Sequence, residues 1–308
     1  MQPVGQRVSA RPCDLYMFER LLWHGPLPTD HLFHFDGECG RKHKDMLQRR
    51  LRLLSEEPDT PHGGRYLDRP RIQFPNLAGG YIPPNHHLVY ALHDGAIAVL
   101  KENNRYHDGY TRGGWYEHQL MQSVVTAEIE IGTYAHRDYT FIPRHRLHKE
   151  THAYPVTIHE VGRYGTNQLK LMLHPDDHFA IDYAGKFRHY FLEVDRGTEV
   201  RVGVSNARKT MERSLRQYRE FIGGGLYKDM LKTDKGAFVL FVFVNEQQMR
   251  NALEILLKLT EGKGNNYMLF RTDTRFLGKT YPAPMVSLDN WDCEWFRAGR
   301  PSVYINVP

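Results

Sequence analysis

Apolar residues recur at helical spacing through the first part of the chain. Leu15, Phe18 and Leu22 follow Asp14, which suits an N-cap, and Gly25-Pro26 ends the pattern. Thr29 is placed to cap a short second helix through Leu32 and Phe33. Leu47, Leu51 and Leu54 make the stripe of a third helix, predicted from Arg41 to about Ser55. Opposite that stripe fall Lys42, Arg49 and Arg52, with Arg41 and Gln48 beside them; Lys44 and Arg50 flank it. After the turn-rich run from Pro58 to Gly64, Tyr66-Leu67 and Leu88 to Leu92 read as two strands. The segment between them, Arg69 to Pro84, carries Pro, Gly and Asn and reads as an extended loop, and a short helix is predicted from Ala96 to Lys101.

Beyond a polar stretch from Asn103 to Gly114, the period is again helical from Trp115 to about Ile131. Leu120, Val124, Ala127 and Ile131 form its stripe, with Glu117 and Glu128 near the edge. Short β-like runs follow at Tyr154 to His159, Leu169 to Leu173, Phe179 to Tyr183 and Phe187 to Val194. A helix predicted from about Ser205 to Ile222 turns Met211, Leu215, Tyr218 and Ile222 inward. The run Ala237 to Val244 is apolar on both faces, as a central strand covered on both sides would be. Asn245 with Gln248 then opens a helix that turns Met249, Leu253, Leu256 and Leu257 inward, and Tyr267 to Phe270 is the next strand. This β-α-β unit predicts two parallel strands joined by a right-handed crossover.

Composition narrows the partners. The formal net charge of +5 and a sequence pI of about 9.0 favour a polyanion. The three cysteines, Cys13, Cys39 and Cys293, form no C-x-x-C pair, so neither a zinc ribbon nor a disulfide framework is predicted, and a reducing cytoplasm is expected. The 308-residue chain shows no apolar run long enough to span a bilayer and no nucleotide-binding or hydrolase-elbow motif.

The candidate chemistry lies in Pro175-Asp176-Asp177 and Phe191-Leu192-Glu193-Val194-Asp195-Arg196-Gly197-Thr198. Glu193 and Asp195, two apart on a strand, share a face, and Asp176 on a neighbouring strand is placed to join them. Three converging carboxylates can hold a hard cation such as Mg²⁺. Asp177 and Asp182 are rivals for the place of Asp176.

An acid at the start of one strand and another late on the next resembles the PD-(D/E)XK nuclease core. The whole chain, over roughly residues 14 to 280, resembles the replication-relaxation family of plasmid and mobile-element proteins, through these segments and Trp115-Tyr116-Glu117-His118-Gln119-Leu120-Met121. The three helices and the two strands after them read as a winged helix-turn-helix over 1–102, with a linker over 103–114 and a C-terminal tail over 276–308 packed on the core; with the resemblance, which implies a restriction-endonuclease-like mixed sheet flanked by helices over 115–275, an α/β (α+β) two-domain protein is expected. The resemblance implies Asp176 and Glu193 as metal ligands. Where the nuclease pattern has a Lys, this chain has Asp195, an additional ligand in a two-cation site. Lys209 or Arg208 would then supply the missing positive charge, and Glu117 a fourth acid. For the third helix, Arg41, Lys42, Lys44, Gln48, Arg49 and Arg52 are the expected contacts to double-stranded DNA. The function expected is DNA engagement in plasmid replication or relaxation, with a non-catalytic nuclease-like domain and with replication or conjugation proteins as further partners. The alternatives are a Mg²⁺-dependent DNA endonuclease or nickase, and a pure interaction protein.

Overall fold

The computed structural model describes residues 8–36, 43–70, 88–107, 116–147, 156–160, 169–197, 210–277 and 283–308. The chain forms two compact units, Met1–Ile131 with Lys279–Asn290 and Gly132–Gly278 with Trp291–Pro308.

In the first unit, helix α1 (Pro12–His24) leads through strand β1 (Leu27–Pro28) into α2 (Thr29–Phe35) and α3 (Lys44–Glu56). Strands β2 (Leu67–Asp68) and β3 (Val89–Leu92), α4 (Asp94–Glu102) and α5 (Tyr116–Thr133) follow. The two expected strands pair antiparallel, Leu67 with Leu92, and β1 pairs with the other edge of β3, Leu27 with Tyr90. The core joins Phe18, Leu21, Leu32, Leu47, Leu51, Leu54 and Tyr66 with Ala127 and Ile131 of α5.

Two helix starts differ from expectation. Pro12 supplies the fixed φ of a first helical position, so α1 begins before Asp14, and Asp14 instead accepts the Arg11 N–H at 2.8 Å. Thr29 is the first residue of α2, and its hydroxyl donates to the Leu88 carbonyl at 2.9 Å.

Buried charge holds this unit together. Asp14, 0% exposed, receives Arg50 Nη2 at 2.5 Å, and the same nitrogen reaches the Ser9 carbonyl at 2.6 Å. Glu128 is not at the edge of its stripe but fully buried, because the donors it needs are inside: the Ser287 N–H at 2.9 Å, Asn290 Nδ2 at 2.9 Å and His31 Nε2 at 3.3 Å. Two residues on, Glu130 meets Arg20 Nε at 2.8 Å and His24 Nε2 at 2.6 Å. Removing one partner of such a set leaves the others desolvated without compensation. Glu128→Ala is therefore expected to destabilise the first unit by about 3 kcal/mol, seen as a lower urea midpoint with unchanged secondary structure.

The second unit contains β4 (Tyr139–Ile142), α6 (Arg144–Leu147), β5 (Val156–Glu160), β6 (Leu169–Leu173), β7 (Asp177–Tyr183) and β8 (Lys186–Asp195). It continues with α7 (Met211–Tyr218), a π-helical turn at Arg219–Gly223, α8 (Leu226–Leu231), β9 (Gly236–Phe243), α9 (Glu246–Leu259) and β10 (Met268–Thr272). A 3₁₀ turn (Thr274–Phe276), α10 (Asp289–Asp292), β11 (Trp295–Arg297) and β12 (Arg300–Val303) follow. The sheet order is β12-β11-β10-β9-β8-β7-β4, and β5 and β6 form a separate pair. Strands β8, β9 and β10 run parallel, as the β-α-β pattern requires, and their neighbours on both sides are antiparallel.

Met211, Leu215, Tyr218 and Ile222 all face the core, with Phe191, Phe241 and Phe270 from the sheet. Asn245 caps α9 by accepting the Gln248 N–H at 2.9 Å. Leu257 departs from the expected inward stripe and is 37% exposed.

On the other sheet face, Tyr183 donates its single hydroxyl proton to the Ile305 carbonyl at 2.6 Å. The Tyr190 hydroxyl, 2.5 Å away, therefore donates to Tyr183. Burial pushes both phenols above their ordinary value of 10.0. A phenol raised in the folded state contributes stability that is fully present below the unfolded value and is lost as pH rises above it. Stability is expected to fall above pH about 10, and Tyr190→Phe to lessen that slope, in denaturation series at about pH 8 and 11.

Candidate functional site

The acid pair is assembled by the β7-β8 register. Asp177 lies opposite Leu192 and His178 opposite Phe191, so His178, Phe191 and Glu193 share one face and Asp177 takes the other. One residue before the strand, the Asp176 N–H donates to the Leu192 carbonyl at 3.0 Å, and Asp176 Oδ2 accepts the Val194 N–H at 2.8 Å. These two bonds bracket Glu193 and put Asp176 at its shoulder. Asp182 stands at the far end of the hairpin, where Oδ1 accepts the Gly185 N–H at 2.6 Å and closes a turn with Ala184 and Gly185 at positive φ. Among the rivals, Asp176 is the one beside Glu193.

Glu193 is 6% exposed, and its Oε1 accepts the Tyr218 hydroxyl at 2.7 Å. Tyr218 reaches it because α7 packs its Met211, Leu215 and Tyr218 stripe on this face. Asp195, in register with Phe243, turns Oδ1 to the Gly197 N–H at 2.7 Å, and its carbonyl accepts the Val244 N–H. Among the described residues, no group of three or more His, Cys, Asp or Glu side chains is arranged to hold a metal ion. Lys209 and Arg208 lie outside the described residues, and Glu117 belongs to α5 in the first unit.

Sequence reasoning missed Tyr218 as a partner of Glu193, although its place on the apolar stripe was the available signal. It missed also the buried pair His178 Nε2 and His189 Nδ1, 3.1 Å apart on the same face.

On α3 the expected DNA contacts separate into two groups. Lys44 is not an outward cation. Its Nζ pairs with Asp30, whose other oxygen accepts the Val286 N–H at 2.8 Å. Burial alone would raise the Asp30 carboxyl, but the Lys44 and Val286 donors outweigh it and hold it below the ordinary value. Arg50 is consumed by Asp14 in the same way. Arg49 and Arg52 point outward, with side chains 82% and 72% exposed. They share that face with acids: Asp45 lies 4.0 Å from Arg49, and Glu56 lies 2.9 Å from Arg52. Glu56 also receives Arg69 at 2.9 Å. Gln48 is half-buried, and Arg41 and Lys42 lie outside the described residues. The outward face of described α3 is therefore mixed in charge.

The family model for replication-relaxation proteins matches residues 30–234, and the chain belongs to that family. No curated protein matches the chain, and no solved structure does. No described helix is long and apolar enough to cross a membrane.

Tyr218→Phe removes a donor from a buried carboxylate, so it is expected to cost about 1–3 kcal/mol, read as a lower denaturation midpoint with the near-UV signal retained.

Proposed function

We propose that the chain is a DNA-binding protein acting in the replication of a plasmid or mobile element, with a non-catalytic second unit. Family membership supports the setting. The order helix, strand, helix, helix, strand, strand fits a winged helix, with α3 as its recognition helix. The observation that carries the reading is selective: α3 commits Lys44 and Arg50 to internal acids and leaves Arg49 and Arg52 outward. The net charge of +5 favours approach to a polyanion. Duplex DNA is the partner, the cytoplasm the setting, and replication or conjugation proteins are further partners.

Arg52 has to leave Glu56 to meet a phosphate, whereas Arg49 is only loosely held by Asp45. Arg49→Ala is therefore expected to weaken duplex binding more than Arg52→Ala. Each phosphate deprived of its cation lowers the slope of log affinity against log salt by about 0.9. Fluorescence anisotropy over a salt series checks this, and an R49A/R52A protein with unaltered affinity and slope overturns α3 as the DNA-reading helix.

A second reading, a Mg²⁺-dependent endonuclease, draws on the bond that holds Asp176 beside Glu193. Against it stand the engagement of Glu193 by Tyr218 and an Asp at the position where the nuclease pattern has Lys. Supercoiled plasmid incubated with the protein and Mg²⁺ or Mn²⁺ is expected to stay supercoiled. Nicking that disappears in Glu193→Ala would replace the non-catalytic reading with the endonuclease.

A further inference from the structure

The C-terminal hairpin sorts its side chains by face. Phe270 of β10 lies opposite Phe296 of β11, and Arg297 lies opposite Arg300 of β12. Successive residues of a strand point to opposite faces. Within β11, Trp295 and Arg297 therefore take one face and Phe296 the other; the pairing with β12 shifts register between Trp295 and Arg297, and Arg300 lies opposite Arg297 beyond that shift. Phe296 is 45% exposed; Tyr304, just past the end of β12, is 44% exposed and donates to Glu294 at 3.1 Å. Arg297 and Arg300 thus meet across the hairpin on the face of β11 that Phe296 does not occupy.

Like charges directly opposite on paired strands repel. Yet among the described residues no carboxylate pairs with Arg297 or Arg300; Arg297 Nε reaches only the Pro301 carbonyl, at 2.6 Å. Arg300 is exposed and Arg297 half-buried. The turn between them is held firmly. Gly299 has φ +63, and the Ala298 carbonyl accepts the Asn265 N–H at 3.0 Å. Gly264 approaches the same carbonyl so closely that a Cβ there would collide with it. That approach brings the loop after α9 against the turn, and with it Lys263, whose side chain is 80% exposed and meets Glu261 only at 3.7 Å. The loop also borders a cavity of about 450 Å³ lined by Arg219, Lys263, Asn266 and Tyr267. Arg219 spends one donor, at 2.8 Å, on the Leu259 carbonyl.

We propose that this corner of the second unit, built on Arg297, Arg300 and Lys263, is a second phosphate-contacting surface for the DNA backbone. It rests on the DNA-binding reading above and extends it to residues beyond the family match, which ends at 234. The choice of nucleic acid over an acidic protein follows from what stands beside the cations. Protein interfaces centre on aromatic and apolar anchors, and the exposed aromatic of β11, Phe296, takes the face away from Arg297. A phosphodiester chain asks only for positioned cations, and a rigid cross-strand pair of guanidiniums with no internal acid supplies them.

The test uses the full chain and a mixed-sequence duplex, with anisotropy measured over a salt series. R297A/R300A is expected to lower the slope of log affinity against log salt by about two and to weaken binding at least tenfold at low salt, with circular dichroism and thermal midpoint retained. R297K/R300K, which keeps the charge, is expected to keep most of the slope. Wild-type binding with an unaltered slope in R297A/R300A overturns this surface and leaves α3 standing. A reduced slope in R297A/R300A beside an unaltered one in R49A/R52A supports this surface and overturns α3. Absence of wild-type binding to duplex at any salt overturns both. Poly-glutamate as a second probe decides the remaining case: binding to it that R297A/R300A abolishes, with duplex affinity intact, overturns the surface in favour of an acidic protein.

Discussion

A carboxylate taken out of water must be met by donors, and this requirement organises both units. In the first unit Asp14, Asp30, Glu128 and Glu130 are all buried. Each draws in a particular cation, histidine or backbone N–H: Arg50, Lys44, the Ser287 N–H and Arg20 respectively. These demands decide which basic residues remain at the surface. A helix that reads as broadly basic in sequence is thereby divided into an inward pair that supports the fold and an outward pair that faces solvent among acids.

The same requirement shapes the second unit. Glu193 lies late on a central parallel strand, where a charge without a partner would be costly. Tyr218 meets it from the helix packed above, and Asp176 binds the peptide immediately after it. A metal-binding acid pair and a structurally satisfied one differ in what occupies the carboxylate oxygens, not in where the strands run. The β7-β8 register would serve either use.

Apolar periodicity was a good guide to element type, because burial on one face is what the period records. The strand of Ala237 to Val244, the cap at Asn245 and the inward stripe of Met211, Leu215, Tyr218 and Ile222 are all where the pattern puts them. What the pattern cannot express is a polar residue buried because its partners come from distant segments. Glu128 depends on residues 97, 159 and 162 positions away along the chain. Lys44 reads as one more surface cation until Asp30 is seen beside it. The choice among Asp176, Asp177 and Asp182 likewise needed the strand register, since all three stand within one short stretch. The arginine pair of the hairpin has a related origin: Arg297 and Arg300 come opposite one another only through the β11-β12 turn.

The hydroxyl of Tyr183 ends on the carbonyl of Ile305, a partner 122 residues away. The segment after β12 is thus stitched to β7 by a side chain whose single proton goes to a backbone carbonyl. A protease that clipped after Val303 would leave two phenols facing each other in a dry interior, and the damage would begin at β7, far upstream of the cut.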